Sequence, residues 1–181
     1  TPDARYKALA GLKQPGRNWH QGATPGGLYA FASPDGVNWR KIRPEPVMTK
    51  GAFDSLNLAF WDPARDRYTC YSRIFENKVR AVQSVPSADF VTWGDPVSNR
   101  YAQDVPFEHF YTSSTVPCPG AEHLLVAFPK RFVTNRKKVP EHSGPGVSDA
   151  VFMTSRDGQF WDRTFLEAWV RPGPDQKNWT D

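Results

Sequence analysis

The chain has 181 residues, with 23 Lys and Arg against 19 Asp and Glu and a formal net charge of +4. That length accommodates one ordinary domain with a real core, and a hydrophobic content of 39% excludes a disordered polar tail. Cations scattered among nearly as many acids read as a solvated surface, so no nucleic-acid partner is expected.

The longest apolar run, residues 124–128, is far short of the ~20 residues of a membrane helix, so no membrane partner is expected either. The aromatic content of 14%, with 13 Gly and 17 Pro to make turns, favours many short strands. In chain order, residues 6–10 alternate as a modest strand, residues 11–26 are a Gly- and Pro-rich loop, and residues 28–32 and 39–42 are further strands. Residues 56–61, 67–74 and 79–85 follow as strands with turns between them, and Trp93 opens another. The same plan returns with strands at 110–116, 123–130 and 151–155, a long loop at 131–148, and a last strand opened by Trp161. No stretch has helical periodicity.

A seven-residue pattern punctuates this plan. Ser33-Pro34-Asp35-Gly36-Val37-Asn38-Trp39 recurs from Ser87 to Trp93 and from Ser155 to Trp161, at intervals of 54 and 68 residues. The Ser and Asp side chains suit a turn that bonds its own backbone, and the Trp adds a large apolar anchor. Four short strands per unit with one repeated turn predict an all-β chain built as a β-propeller of four-stranded antiparallel blades. The blades fall at about 1–50, 51–105 and 106–175, and a fourth begins near 176. A closed propeller needs at least four, so the chain is expected to be an excerpt of a longer protein, with several copies closing one ring as the alternative.

Two acids occupy matched positions. Asp54 lies 19 residues after Asp35, and Glu108 lies 19 residues after Asp89, each ahead of an inner strand. Equivalent positions on adjacent blades are expected to bring both carboxylates to one mouth of the ring, as glycoside hydrolysis by paired acids requires. Substrate-binding candidates are Arg73, Lys130 and Arg131, as donors to hydroxyls or a sugar carboxylate. Phe53, Trp61, Phe107 and Tyr111 are candidates to stack on sugar faces. His109 is a candidate to orient Glu108 or to ligate a central cation. The two cysteines, Cys70 and Cys118, form no metal set and are expected to be free or buried.

These features together resemble the five-bladed propeller glycosidases of glycoside hydrolase families 32 and 43. The carriers are the Ser-x-Asp-x-x-x-Trp turn after a strand, the acid leading the next inner strand, and Phe60-Trp61-Asp62-Pro63 behind it. Sialidase propellers match less well, because their box has one more residue between Asp and Trp. The resemblance covers nearly the whole chain.

It implies that Glu108 is the general acid and that Asp54 tunes its pKa and stabilises the transition state. The first Asp of the pattern belongs to an inner strand expected before Thr1; Asp3 aligns instead with the turn residue Asp66. The implied function is hydrolysis of a terminal glycosyl residue of an oligosaccharide or polysaccharide. A non-catalytic carbohydrate-binding propeller and a glycan phosphorylase or transferase are the alternatives. No cofactor is expected, with a structural Ca2+ left open, and oligomeric state is not legible. With no Met or leader at Thr1, location stays open and a secreted or periplasmic protein is the expectation.

Overall fold

The computed structural model describes residues 1–11, 26–137, 144, 146–173 and 175. Most of the loop expected at 11–26 and the start of a fourth blade near 176 lie outside these residues. The described residues are all-β apart from one 3-10 turn, Pro2–Ala4, and no helix among them is long and apolar enough to cross a membrane.

The first sheet joins β1 (Tyr6–Gly11), β2 (Leu28–Ser33) and β3 (Arg40–Lys41) in antiparallel order. The second joins β4 (Leu58–Asp62), β5 (Arg67–Glu76), β6 (Val79–Ser87) and β7 (Val97–Ser98), in that order. The β5–β6 hairpin is its spine. A tight turn at Asn77 and Lys78, both with positive φ, sets Glu76 opposite Val79 and carries the register back to Tyr68 opposite Ser87.

Six further strands follow: β8 (His109–Phe110), β9 (Thr115–Cys118), β10 (Ala121–Ala127), β11 (Lys130–Val133), β12 (Val147–Ala150) and β13 (Met153–Ser155). They make two sheets, β9-β10-β13 and β8-β11-β12. Residues 131–148, expected as a loop, therefore contain two paired strands. Their charged members, Arg131 and Asp149, are cross-strand partners and buried, and that pairing satisfies charges that otherwise signal a loop. The strand expected at 110–116 is likewise split between β8 and β9, which belong to different sheets. Trp93 forms only an isolated bridge to Ser87, and the outer strand β7 begins at Val97.

Alternation along β5 and β6 gives the second sheet two apolar faces. Cys70 and Val85 pack with Leu28, Met48 and Phe53 on the side of the first sheet. Tyr71 and Val82 face the other way and pack with Phe110, Leu125, Met153 and Trp161. The second sheet is thus buried on both faces, and its position fixes what lies at the end of its long hairpin.

Candidate functional site

The hairpin end carries the site. On β5 and β6, Arg73 is opposite Val82 and Phe75 is opposite Arg80, so Arg73, Phe75 and Arg80 share the face that deeper in presents Tyr71 and Val82. Beyond the core, this face meets Tyr111, which follows β8. The Arg73 and Arg80 guanidinium carbons stand 4.9 and 5.4 Å from the Tyr111 ring centroid, and Lys130 Nζ stands 5.0 Å from it. The Tyr111 N–H donates to the Lys130 carbonyl at 2.7 Å, and Ser55 Oγ donates to the Tyr111 carbonyl at 2.8 Å. One aromatic ring is therefore held among three cations, each within cation–π range.

Asp54 joins this group through Arg73, whose Nη2 donates to Asp54 Oδ1. Arg73 is almost fully buried, whereas Asp54 is exposed. A buried guanidinium anchors one carboxylate oxygen and leaves the group presented to solvent, so the pair orients an acid without hiding it. His109 sits on the same side: its Nδ1 accepts from the Arg80 N–H at 3.2 Å, and its ring stands edge-on to Phe132 at 6.3 Å. Burial, and then the Arg80 guanidinium, push the His109 imidazole below its ordinary pKa of 6.5.

Glu108 is held differently. Arg131 Nη1 donates to both of its oxygens, at 3.2 and 3.3 Å, and Arg163 Nη2 donates to Oε2 at 2.7 Å. Arg131 also grips Asp149 with two bonds of 2.8 Å and donates to the Leu166 carbonyl at 2.9 Å. Burial alone would raise the Asp149 carboxyl, but the hydrogen bonds from Arg131 and Arg136 outweigh it and hold the group below its ordinary value.

The β8–β11 register explains the separation. Arg131 is opposite Phe110 and Phe132 is opposite His109, so Glu108, Phe110, Arg131 and Asp149 use one face of this small sheet. His109, Tyr111, Lys130 and Phe132 use the other. The two acids expected at one mouth thus lie on opposite faces of the β8-β11-β12 sheet, Asp54 beside Tyr111 and Glu108 beside Arg163. The alternation of side chains across β8 separates groups that matched repeat spacing brings to similar positions in the chain.

Phe53, expected to meet substrate, is instead a core side chain, buried with Leu28, Met48, Cys70 and Val85. Arg131 is buried with its donors committed to Asp149, Glu108 and Leu166. Trp61 stacks edge-on against Tyr68 at 4.9 Å, away from the Tyr111 group. Arg80 and Arg163 are not among the candidates that the sequence offers. The tight turn at Glu76-Asn77-Lys78 was the available signal for Arg80, since it sets Arg80 diagonal to Arg73. No local signal marks Arg163, whose partner Glu108 is 55 residues away. Among the described residues, no group of three or more His, Cys, Asp or Glu side chains is placed to hold a metal ion.

In fold, the chain is similar to the crystal structure of an N-acetylgalactosamine deacetylase from F. plautii in complex with blood group B trisaccharide. The TM-score is 0.58 at 18% sequence identity, over 83% of this chain and 47% of that one. The chain therefore spans about half the length of that protein, and the likeness is one of fold. No protein-family model and no curated protein matches the chain.

Proposed function

We propose that the chain is part of a β-propeller in a carbohydrate-active enzyme, and that its saccharide meets the Tyr111 face, with Asp54 as the carboxylate available to it. The observation that carries this reading is the exposed Asp54 anchored by buried Arg73 beside the Tyr111 ring. Sugars are held by this combination, because a fixed carboxylate accepts from hydroxyls while an aromatic face covers the C–H side of the ring. The stacking of sheets on both faces of β4–β7 and the three repeated turns support the propeller. The fold likeness to a deacetylase in complex with a trisaccharide supports a carbohydrate substrate.

The reaction assigned to the whole protein is hydrolysis of a terminal glycosyl residue, with Asp54 as one of its carboxylates. A second reading retains Glu108 as the acid, and one observation favours it: Arg163, which holds Glu108, also lines a depression of about 300 Å³ with Val105, Phe160 and Leu166.

The test is a panel of aryl glycosides, neutral oligosaccharides and N-acetylated sugars, assayed for both glycoside cleavage and acetate release. The full-length parent protein is compared with its Asp54→Asn and Glu108→Gln variants. Glycoside cleavage lost in Asp54→Asn by ~100-fold or more and kept in Glu108→Gln is the expected result. Loss only in Glu108→Gln supports the second reading. Acetate release without glycoside cleavage replaces hydrolysis with deacetylation, and glycan binding without turnover makes the chain a binding module.

A further inference from the structure

Three cations meet at Tyr111, yet the group contains one carboxylate. Asp54 answers Arg73, while Arg80 and Lys130 form no salt bridge with any described residue. The Nε–H groups of Arg73 and Arg80 are also buried without an acceptor. Buried or half-buried donors are normally satisfied, and an excess of positive charge over acceptors is costly unless something supplies the missing oxygens. The excess is not general to this region. On the other face of the β8-β11-β12 sheet, Arg131, Arg136 and Arg163 each form a salt bridge with Glu108 or Asp149, although the Arg163 Nε–H is also buried without an acceptor.

From this juxtaposition we infer that Arg73, Arg80 and Lys130 form a subsite for an anionic substituent, a carboxylate or a sulfate, carried by the saccharide that stacks near Tyr111. Arg80 and Lys130 approach the ring from separate elements, β6 and β11, so an anion between them also ties the hairpin end of the second sheet to the fourth sheet. Asp54, paired with Arg73, meets hydroxyls of the same sugar and disfavours an anion placed directly against itself. The selectivity is for an acidic sugar whose charge lies away from Asp54. The inference rests on the saccharide reading above and names the class of sugar.

Binding is measured by calorimetry at low and moderate salt with two pairs of probes. Trigalacturonate against its fully methyl-esterified form tests a carboxylate, and galactose 6-sulfate against galactose tests a sulfate. One acidic member is expected to bind about tenfold or more tighter than its neutral counterpart, the usual worth of a charge-assisted contact, and to weaken as salt rises. Lys130→Gln and Arg80→Gln are each expected to remove most of that preference and Lys130→Arg to keep it. The exposed Lys137→Gln leaves it unchanged. Thermal melts confirm that each variant is folded, and the partly exposed Lys130 keeps the test informative if Arg80→Gln unfolds. Equal binding of acidic and neutral members, or a preference indifferent to Lys130 and Arg80, overturns the anionic subsite while the saccharide reading stands. Absence of binding by any saccharide, neutral or acidic, overturns both.

Discussion

The repeated turn shows how much one side chain decides. In each copy the Asp accepts from two successive backbone N–H groups: Val37 and Asn38, then Val91 and Thr92, then Gln159 and Phe160. The Ser accepts from the residue three positions on, which has positive φ in every copy: Gly36 at 80°, Phe90 at 70° and Gly158 at 81°. Phe90 is thus strained where its counterparts are glycine, but it is buried and packs edge-on to Tyr68 and Trp93. Phe90→Gly should relieve about 1 kcal/mol of backbone strain and lose more in packing, for a net destabilisation of about 2–3 kcal/mol in denaturant unfolding. The Trp positions differ as sharply, since Trp39 is 43% exposed and Trp161 is fully buried. Trp161→Ala should cost about 3–5 kcal/mol and Trp39→Ala about 1 kcal/mol or less in the same measurement.

Protonation is also a residue-scale matter. Backbone hydrogen bonds from Thr92 and Val91 hold the Asp89 carboxyl at about 2, against an ordinary 3.8, and Asp35 is lowered for the same reason. Their folded values lie below the unfolded ones, so the turns' contribution is complete above pH 3.8 and is lost as pH falls toward 2. His109 behaves likewise in a higher window: its folded value lies below 6.5, so stability falls as pH drops below 6.5 and the imidazole charges. NMR titration should place the His109 midpoint below 6.5. A midpoint above it contradicts the bond from the Arg80 N–H to unprotonated Nδ1.

At the scale of elements, the β8-β11-β12 sheet is where charge and strand pairing coincide. Asp149 is buried, and its partners are Arg131 and Arg136. Arg131→Met removes the inner partner and leaves an acid short of compensation, so a loss of about 3–5 kcal/mol is expected. The double variant Arg131→Met with Asp149→Leu should recover much of it in the same unfolding experiment. This sheet was also the least legible part of the chain. The hairpin β5–β6 announced itself by alternating apolar residues and a polar turn at Asn77-Lys78. In contrast, Lys130-Arg131-Phe132-Val133 and Val147-Ser148-Asp149-Ala150 carry charges that only their pairing with each other makes compatible with burial. The candidate site followed the same division. Arg73, Lys130 and Tyr111 could be picked out singly from the sequence, but their meeting required the register of two hairpins.

For the whole molecule, the stacking of sheets on both faces of β4–β7 sets the Tyr111 face at the end of the β5–β6 hairpin, beside the edge strand β8. The core and the site are therefore continuous. Tyr71 and Val82 anchor the hairpin against Phe110, and one step further along the same strands Arg73 and Arg80 meet the residue after Phe110.

That placement makes the central claim directly measurable. Backbone amide and Tyr ring resonances of the isotopically labelled protein are followed by NMR during titration with blood group B trisaccharide and with trigalacturonate. Saturable shifts concentrated at Asp54, Ser55, Arg73, Arg80, Tyr111 and Lys130, and diminished in Asp54→Asn, are the expected result. Shifts centred instead on Glu108, Arg163 and Phe160, or no saturable shift with either saccharide, contradict a sugar-binding role for the Tyr111 face.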